Sequence, residues 1–268
     1  MGLRVWGETA PEHALATSDA GLEDAAAPAS PSDPDPAPPR PAAPERRRAP
    51  APQADAASPP PRASPAIDLG AVAAMEWPAL REAVAACRAC DLCQTRTQTV
   101  FGVGHARAHW MVVGEAPGEQ EDRQGEPFVG AAGQLLDRML AALQLSRADD
   151  GDAASRVYIA NTLKCRPPRN RNPSAEELHA CEPFLVRQIE LLRPRIILAM
   201  GRFAVQALLR SDEPVGKLRG RVHRYQGVPL VVTYHPAYLL RNLPDKARAW
   251  EDLCLAAGVA EAAAEAAG

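Results

Sequence analysis

The stretch from Gly114 to Gly130 reads GEAPGEQEDRQGEPFVG and holds five acids, one Arg, four Gly and two Pro. It follows HWMVV, an apolar run of the kind that ends a buried strand. A phosphate cradle does not fit. The stretch has neither G-x-G-x-x-G nor Gly-Lys-Ser/Thr, and Glu115, Glu119 and Glu121 would repel the anion. A divalent-metal site is open to these carboxylates, although no second carboxylate cluster stands at another strand end. A solvated surface loop is the plain alternative. Phe128 puts an aromatic ring beside whatever this loop faces, either to stack on a flat group or to pack in the core.

The cysteines form a second set. Cys87 and Cys90 make C-x2-C, Cys93 extends it, and Cys165 and Cys181 stand far along the chain. A ferredoxin-like run would need its fourth Cys at position 97, which is Thr97. A four-thiolate site from Cys87, Cys90, Cys165 and Cys181 is the best arithmetic, and zinc and a 4Fe–4S cluster both fit these spacings. Unrelated buried thiols are the alternative, weakened by the Pro/Arg-rich loop around Cys165. Cys93 is a spare or alternative ligand, and Cys254 on the last helix is expected to be a core thiol. His235 lies in YHPAYLLR, where Pro236 ends a strand and leaves the imidazole at its carboxyl edge. Leu239, Leu240 and Arg241 then fall in an expected exposed loop. Adjacent exposed leucines suit a wedge into a partner.

The elements that must position these groups alternate. Helical spacing runs over 67–90, strand one over 109–114, an amphipathic helix over 131–145 and strand two over 156–163. The segment KCRPPRNRNP (164–173) is neither helix nor central strand, because its prolines remove donors and restrict the backbone. Ser174 and Glu177 form a capping box opening a helix through Leu192. Strand three is 194–200 and a short helix 201–209. Residues 217–236 hold an outer ribbon and strand four, and the last helix spans roughly 245–264. Nearly continuous apolar strands alternating with helices predict a three-layer α/β/α domain around a mostly parallel four-stranded sheet. In such sheets ligands bind beyond the carboxyl ends of the strands, so the acidic loop and His235 should share one crevice.

The chain has 268 residues, and 15 of its 27 Pro precede residue 69. Residues 21–65 are mostly Ala, Pro, Ser and Asp, a composition that cannot bury enough apolar surface to offset its ordering entropy. Residues 1–68 are therefore expected to be a disordered extension, and residues 69–268 one domain. Six Arg against ten acids give the extension a net charge of −4, and 24 basic against 23 acidic groups give the remainder +1. A near-neutral domain binds a polyanion only through a local patch. No run of 18 apolar residues exists, and MGLRVWGETAPEHA lacks the apolar core of a secretion signal. A cytoplasmic chain without membrane contact is expected, in which cysteines are read as ligands or buried thiols rather than disulfides.

Taken in order, C-x2-C, VFGVG, GEAPGEQED, PFVG, YIANTLKCRPPRNRNP and HPAYLLR closely resemble the family 4 uracil-DNA glycosylases, the iron–sulfur branch of that superfamily, over about residues 85–254. The resemblance implies a 4Fe–4S cluster with a structural role on Cys87, Cys90, Cys165 and Cys181. It implies a uracil pocket lined by Glu115, Ala116 and Glu121, with Phe128 stacking on the base, Asn161 pairing with its edge and His235 at its O2. It places Pro236, Leu239, Leu240 and Arg241 in the loop that enters DNA. Uracil-containing DNA is the implied partner, base excision repair the implied process, and a monomer the expected state.

The best-known uracil glycosylases carry an Asp just after strand one to orient water. Here Ala116 occupies that neighbourhood, so catalysis must lean on stabilising the leaving base, with water held by Glu115, Glu121 or Asn170. The loop after Lys164 lacks the His that a crosslinking sister branch uses. A non-catalytic module binding uracil or single-stranded DNA, its cluster a redox sensor, is the competing reading.

Overall fold

A computed structural model describes residues 69–265; the expected disordered extension, residues 1–68, lies outside the described residues. The first helical segment is broken where a single helix over 67–90 was expected. Helix α1 is Leu69–Val72 and α2 is Trp77–Ala86, with Pro78 in the first turn of α2, where its missing N–H costs nothing. A two-residue strand β1, Val103–Gly104, precedes β2, Trp110–Gly114.

The acidic stretch expected as loop contains helix α3, Glu119–Gln124, which ends at Gly125 with φ +79. Then come α4 (Ala131–Ala142), β3 (Val157–Asn161) and α5 (Ala175–Leu192). The Ser174–Glu177 capping box of α5 forms as expected, its two reciprocal bonds measuring 3.2 and 2.8 Å. β4 (Ile196–Met200), α6 (Arg202–Leu209), α7 (Val215–Leu218), β5 (Val222–Tyr225), β6 (Val228–Thr233), α8 (Pro236–Leu239) and α9 (Asp245–Glu265) complete the order.

The four predicted strands are present and parallel, in the order β3-β2-β4-β6. Two short antiparallel strands border them, β1 beside β3 and β5 beside β6, so the sheet has six strands rather than four. β2, β3 and β4 are buried along their whole length, which explains their unbroken apolar sequence.

Alternate side chains face opposite layers. Met111, Val113, Ile197 and Ala199 pack with Leu185 and Ile189 of α5 and Val205 of α6. Val112, Ile159, Ile196 and Leu198 pack with Leu136 and Leu140 of α4 and Leu253 of α9. A third cluster joins Leu80 and Val84 of α2 to Leu163, Cys165, Cys181 and Phe184. The parallel strands all open their carboxyl ends to one side.

Candidate active site and thiolate site

A cleft of about 690 Å³ lies beyond those carboxyl ends. Glu115 and Ala116 line it from the end of β2, Asn161 from the end of β3, and His235 from the residues after β6, with Glu121 and Phe128 on the acidic segment and Arg241 beyond α8. The expected convergence therefore occurs. Sequence reasoning missed Arg202, Tyr234 and Tyr238, which also line the cleft. The two tyrosines stack with centroids 5.1 Å apart, and their placement on either side of His235 in TYHPAYLL was the available signal.

The acidic segment is organised by Glu121. Its Oε1 accepts from the backbone N–H groups of Val129 (3.0 Å) and Gly130 (3.1 Å), and its Oε2 accepts from that of Gly118 (3.1 Å). Asp122 is buried and accepts from Thr97 N at 2.9 and 3.1 Å. Two of the five acids are thus spent on backbone donors rather than on water.

Phe128 is held at φ +56, a left-handed conformation that is rare for a bulky residue and costs on the order of 1–3 kcal/mol. Helix α4 seats it closely: a Cβ on Gly133 would come 1.7 Å from the Phe128 carbonyl oxygen. Gly114 leaves room on the other side. A Cβ there would come 2.5 Å from Asn161 Oδ1 and 2.6 Å from Phe128 Cζ.

Asn161 is buried, and among the described residues its Oδ1 has no hydrogen-bond partner. Buried acceptors are normally satisfied, and leaving one unpaired costs about 1–3 kcal/mol. The ring of Phe128 lies 5.3 Å from that of His235, tilted by 31°. His235 caps α8, its Nδ1 accepting from Ala237 N at 3.2 Å. Burial, helped by the positive charge of Arg241 and opposed by Glu121, pushes its pKa from 6.5 down to about 4. The imidazole is therefore neutral at neutral pH. With Nδ1 occupied as an acceptor, its proton sits on Nε2, which is left to donate. Burial also raises the pKa of Glu115, partly offset by Arg202.

The family model for the uracil DNA glycosylase superfamily matches residues 101–254. A type-4 uracil-DNA glycosylase of Pyrobaculum aerophilum is 41% identical over 191 residues, covering 68% of this chain and 93% of that protein. The chain belongs to the uracil DNA glycosylase superfamily, in its type-4 branch. The type-4 uracil-DNA glycosylase of Archaeoglobus fulgidus is 45% identical over 165 residues, 59% of this chain and 79% of its own. A type-5 enzyme of Pyrobaculum aerophilum is less similar, at 37% over 149 residues, 52% of this chain and 66% of its own.

In this superfamily member the residues expected to enter DNA divide. Leu239 does not lie in an exposed loop: it is 0% exposed, and with Leu135 and Met139 of α4 and Trp250 of α9 it lines an apolar crevice. The single turn of α8 accounts for this, since it aims Pro236 and Leu239 inward and the next residue outward. Leu240 is 42% exposed, and Arg241 is exposed at the cleft.

Cys87, Cys90, Cys93, Cys165 and Cys181 line one small pocket together with Arg96 and Lys164. Cys87 follows the end of α2 and Cys181 lies on α5, so the pocket joins segments far apart in sequence. Arg96 donates to Cys165 Sγ at 2.9 Å and to the carbonyl of Cys87 at 2.8 Å. The backbone N–H of Lys164 donates to Cys181 Sγ at 3.2 Å. Burial pushes the Cys165 thiol up to about 11 and the Cys181 thiol up to about 12. Cys254 is exposed on α9, not a core thiol as expected: the helix turns Leu253 and Ala256 to the core and carries Cys254 outward.

Proposed function

We propose that this chain removes uracil from DNA: it takes the base out of the strand, hydrolyses the N-glycosidic bond and leaves an abasic site. The observation that carries this is the buried, unpartnered Asn161 Oδ1 in a cleft bounded by the Phe128 ring and His235. Uracil offers the complement. Its N3–H meets Oδ1, its O4 accepts from Nδ2, and its flat face lies on Phe128. Cytosine would set its N3 acceptor against Oδ1 and leave buried polar groups unpaired, a mismatch that such sites reject strongly.

As the bond breaks, negative charge builds on the departing uracil. The Nε2–H of neutral His235 donates to O2 there, and a donor of this type contributes about 10²–10³ in rate. Glu115, beside Ala116 at the cleft, is the carboxylate assigned to hold water. Glu121 acts as a positioning residue, because its two oxygens already take three backbone donors. Leu240 and Arg241 meet the DNA from the loop after α8, with Pro236 and Leu239 as the support beneath them. Among the described residues no helix is long and apolar enough to cross a membrane. A cytoplasmic monomer with residues 69–268 as the glycosylase unit completes the reading.

Cys87, Cys90, Cys165 and Cys181 would hold a 4Fe–4S cluster, which supplies a structural cross-link between α2, the loop after β3 and α5. Arg96 donates to one of these sulfurs, and the buried Lys164 ammonium interacts electrostatically with Cys165 and Cys181, which suits an anionic group there. Among the described residues no three His, Cys, Asp or Glu are placed to hold a single metal ion.

Uracil release from an oligonucleotide tests the activity. Wild type should yield free uracil and an alkali-labile abasic site, while Asn161→Asp should cut uracil poorly and gain activity on cytosine. Tight binding of the oligonucleotide without base release would overturn the enzyme in favour of a binding module.

A further inference from the structure

Lys164 is buried completely and has no carboxylate partner among the described residues. A charge in that position costs several kcal/mol unless something compensates it. Its Nζ donates to the backbone carbonyl of Asn161 and to Gln188 Oε1, each at 2.7 Å. Gln188 is itself buried and fixed, donating to the carbonyl of Phe101 at 2.9 Å. At its other end, the Lys164 backbone N–H donates to Cys181 Sγ, and Cys165 is the next residue. One residue therefore grips the strand end that presents Asn161 and touches the sulfur set on both sides.

We infer that Lys164 is a positioning residue that couples the thiolate site to the base-reading end of β3. The inference rests on the two site assignments above. Its ammonium is held by two neutral oxygens, so the anionic sulfur set is the charge that justifies burying it. Loading that set fixes Lys164, and Lys164 fixes the carbonyl, and with it the side chain, of Asn161. Linkage then runs both ways. A base bound at Asn161 must steady the sulfur set by the same factor that the loaded sulfur set favours the base.

The test is the rate at which full-length holoprotein loses iron to an excess of chelator, followed by its visible iron–thiolate absorbance, with and without saturating free uracil. In wild type, uracil should slow iron loss about fivefold, the lower end of coupling between distinct sites. Lys164→Met keeps the volume of the stem without the charge and should abolish that protection, while also narrowing the preference for uracil over cytosine in DNA. A residue that only stabilises the fold would speed iron loss equally with and without uracil, and that result overturns the inference. So does wild-type protein that releases uracil from DNA yet loses iron at the same rate in its presence. Wild type that releases no uracil instead overturns the proposed activity. Should Lys164→Met fail to accumulate folded, Gln188→Leu decides: loss of most of the protection supports the coupling, and protection equal to wild type overturns it.

Discussion

At the end of β3, Asn161 presents an acceptor with no partner among the described residues, while three residues on, the Lys164 ammonium donates to two oxygens at 2.7 Å. The base cleft is assembled from side chains left available: an unpaired Oδ1, an imidazole with its donor free, a ring held at positive φ. In the cysteine pocket two of the five sulfurs are already engaged, Cys165 by Arg96 and Cys181 by a backbone N–H. On the proposed reading, readiness to bind is stored as unmet hydrogen bonding in the first region, and the second would act as a cross-link between distant segments. Substitutions in the cleft should therefore change chemistry, and loss of a cysteine from the pocket should change folding.

The sharpest test of that contrast is Cys165→Ala. It should yield little folded protein and no visible iron–thiolate absorbance. A well-folded, fully active, iron-free variant would end the distinction.

His235→Ala comes next. It should slow single-turnover excision by about 10²–10³ with little change in affinity for uracil-containing DNA. Equal losses in rate and affinity would reduce His235 to a shaper of the loop. Its titration supplies a second arm. With a folded pKa of about 4 against 6.5, the unfolded chain takes up a proton that the folded one refuses. Stability contributed here is present above pH 6.5 and is lost as pH falls toward 4, which denaturation of wild type and His235→Ala across that window would register. The rate, by contrast, should show no titration of His235 between pH 5 and 8.

Leu239→Ala and Leu240→Ala separate packing from contact. The first opens a buried site and should cost about 2–5 kcal/mol in unfolding free energy. The second should leave stability nearly unchanged and slow excision from duplex DNA more than from single strands. Identical behaviour of the two would put both in the same role.

The smallest effects are expected from Cys254 and from the amino-terminal residues. Cys254→Ser, on an exposed position, and removal of residues 1–68 should each leave uracil release within about tenfold of wild type, roughly 1.4 kcal/mol of barrier.

The parallel strands could be read from sequence because burial on both faces leaves an unbroken apolar signature, as in IILAM of β4. The cysteine set was legible by spacing, and the crevice by the rule that strand ends converge. Two-residue β1 and four-residue α7 are too short to carry any periodicity. The inward turn of Leu239 depended on one helical turn whose phase HPAYLL does not reveal. On Ala-rich α9 the contrast between faces is weak, so Cys254 could not be assigned a side. The unpartnered oxygen of Asn161 and the burial of Lys164 are tertiary facts, because satisfaction depends on neighbours distant in sequence.

The three backbone bonds of Glu121 also have a dynamic consequence. One carboxylate fastens Gly118, just before α3, to Val129 and Gly130 at the end of the acidic segment. The wall of the cleft between them cannot fray from either side alone, because releasing one end unsettles the other. Hydrogen exchange at these three amides should therefore proceed through a shared opening event, with closely matched protection, and the Phe128 ring should travel with that event rather than swing independently.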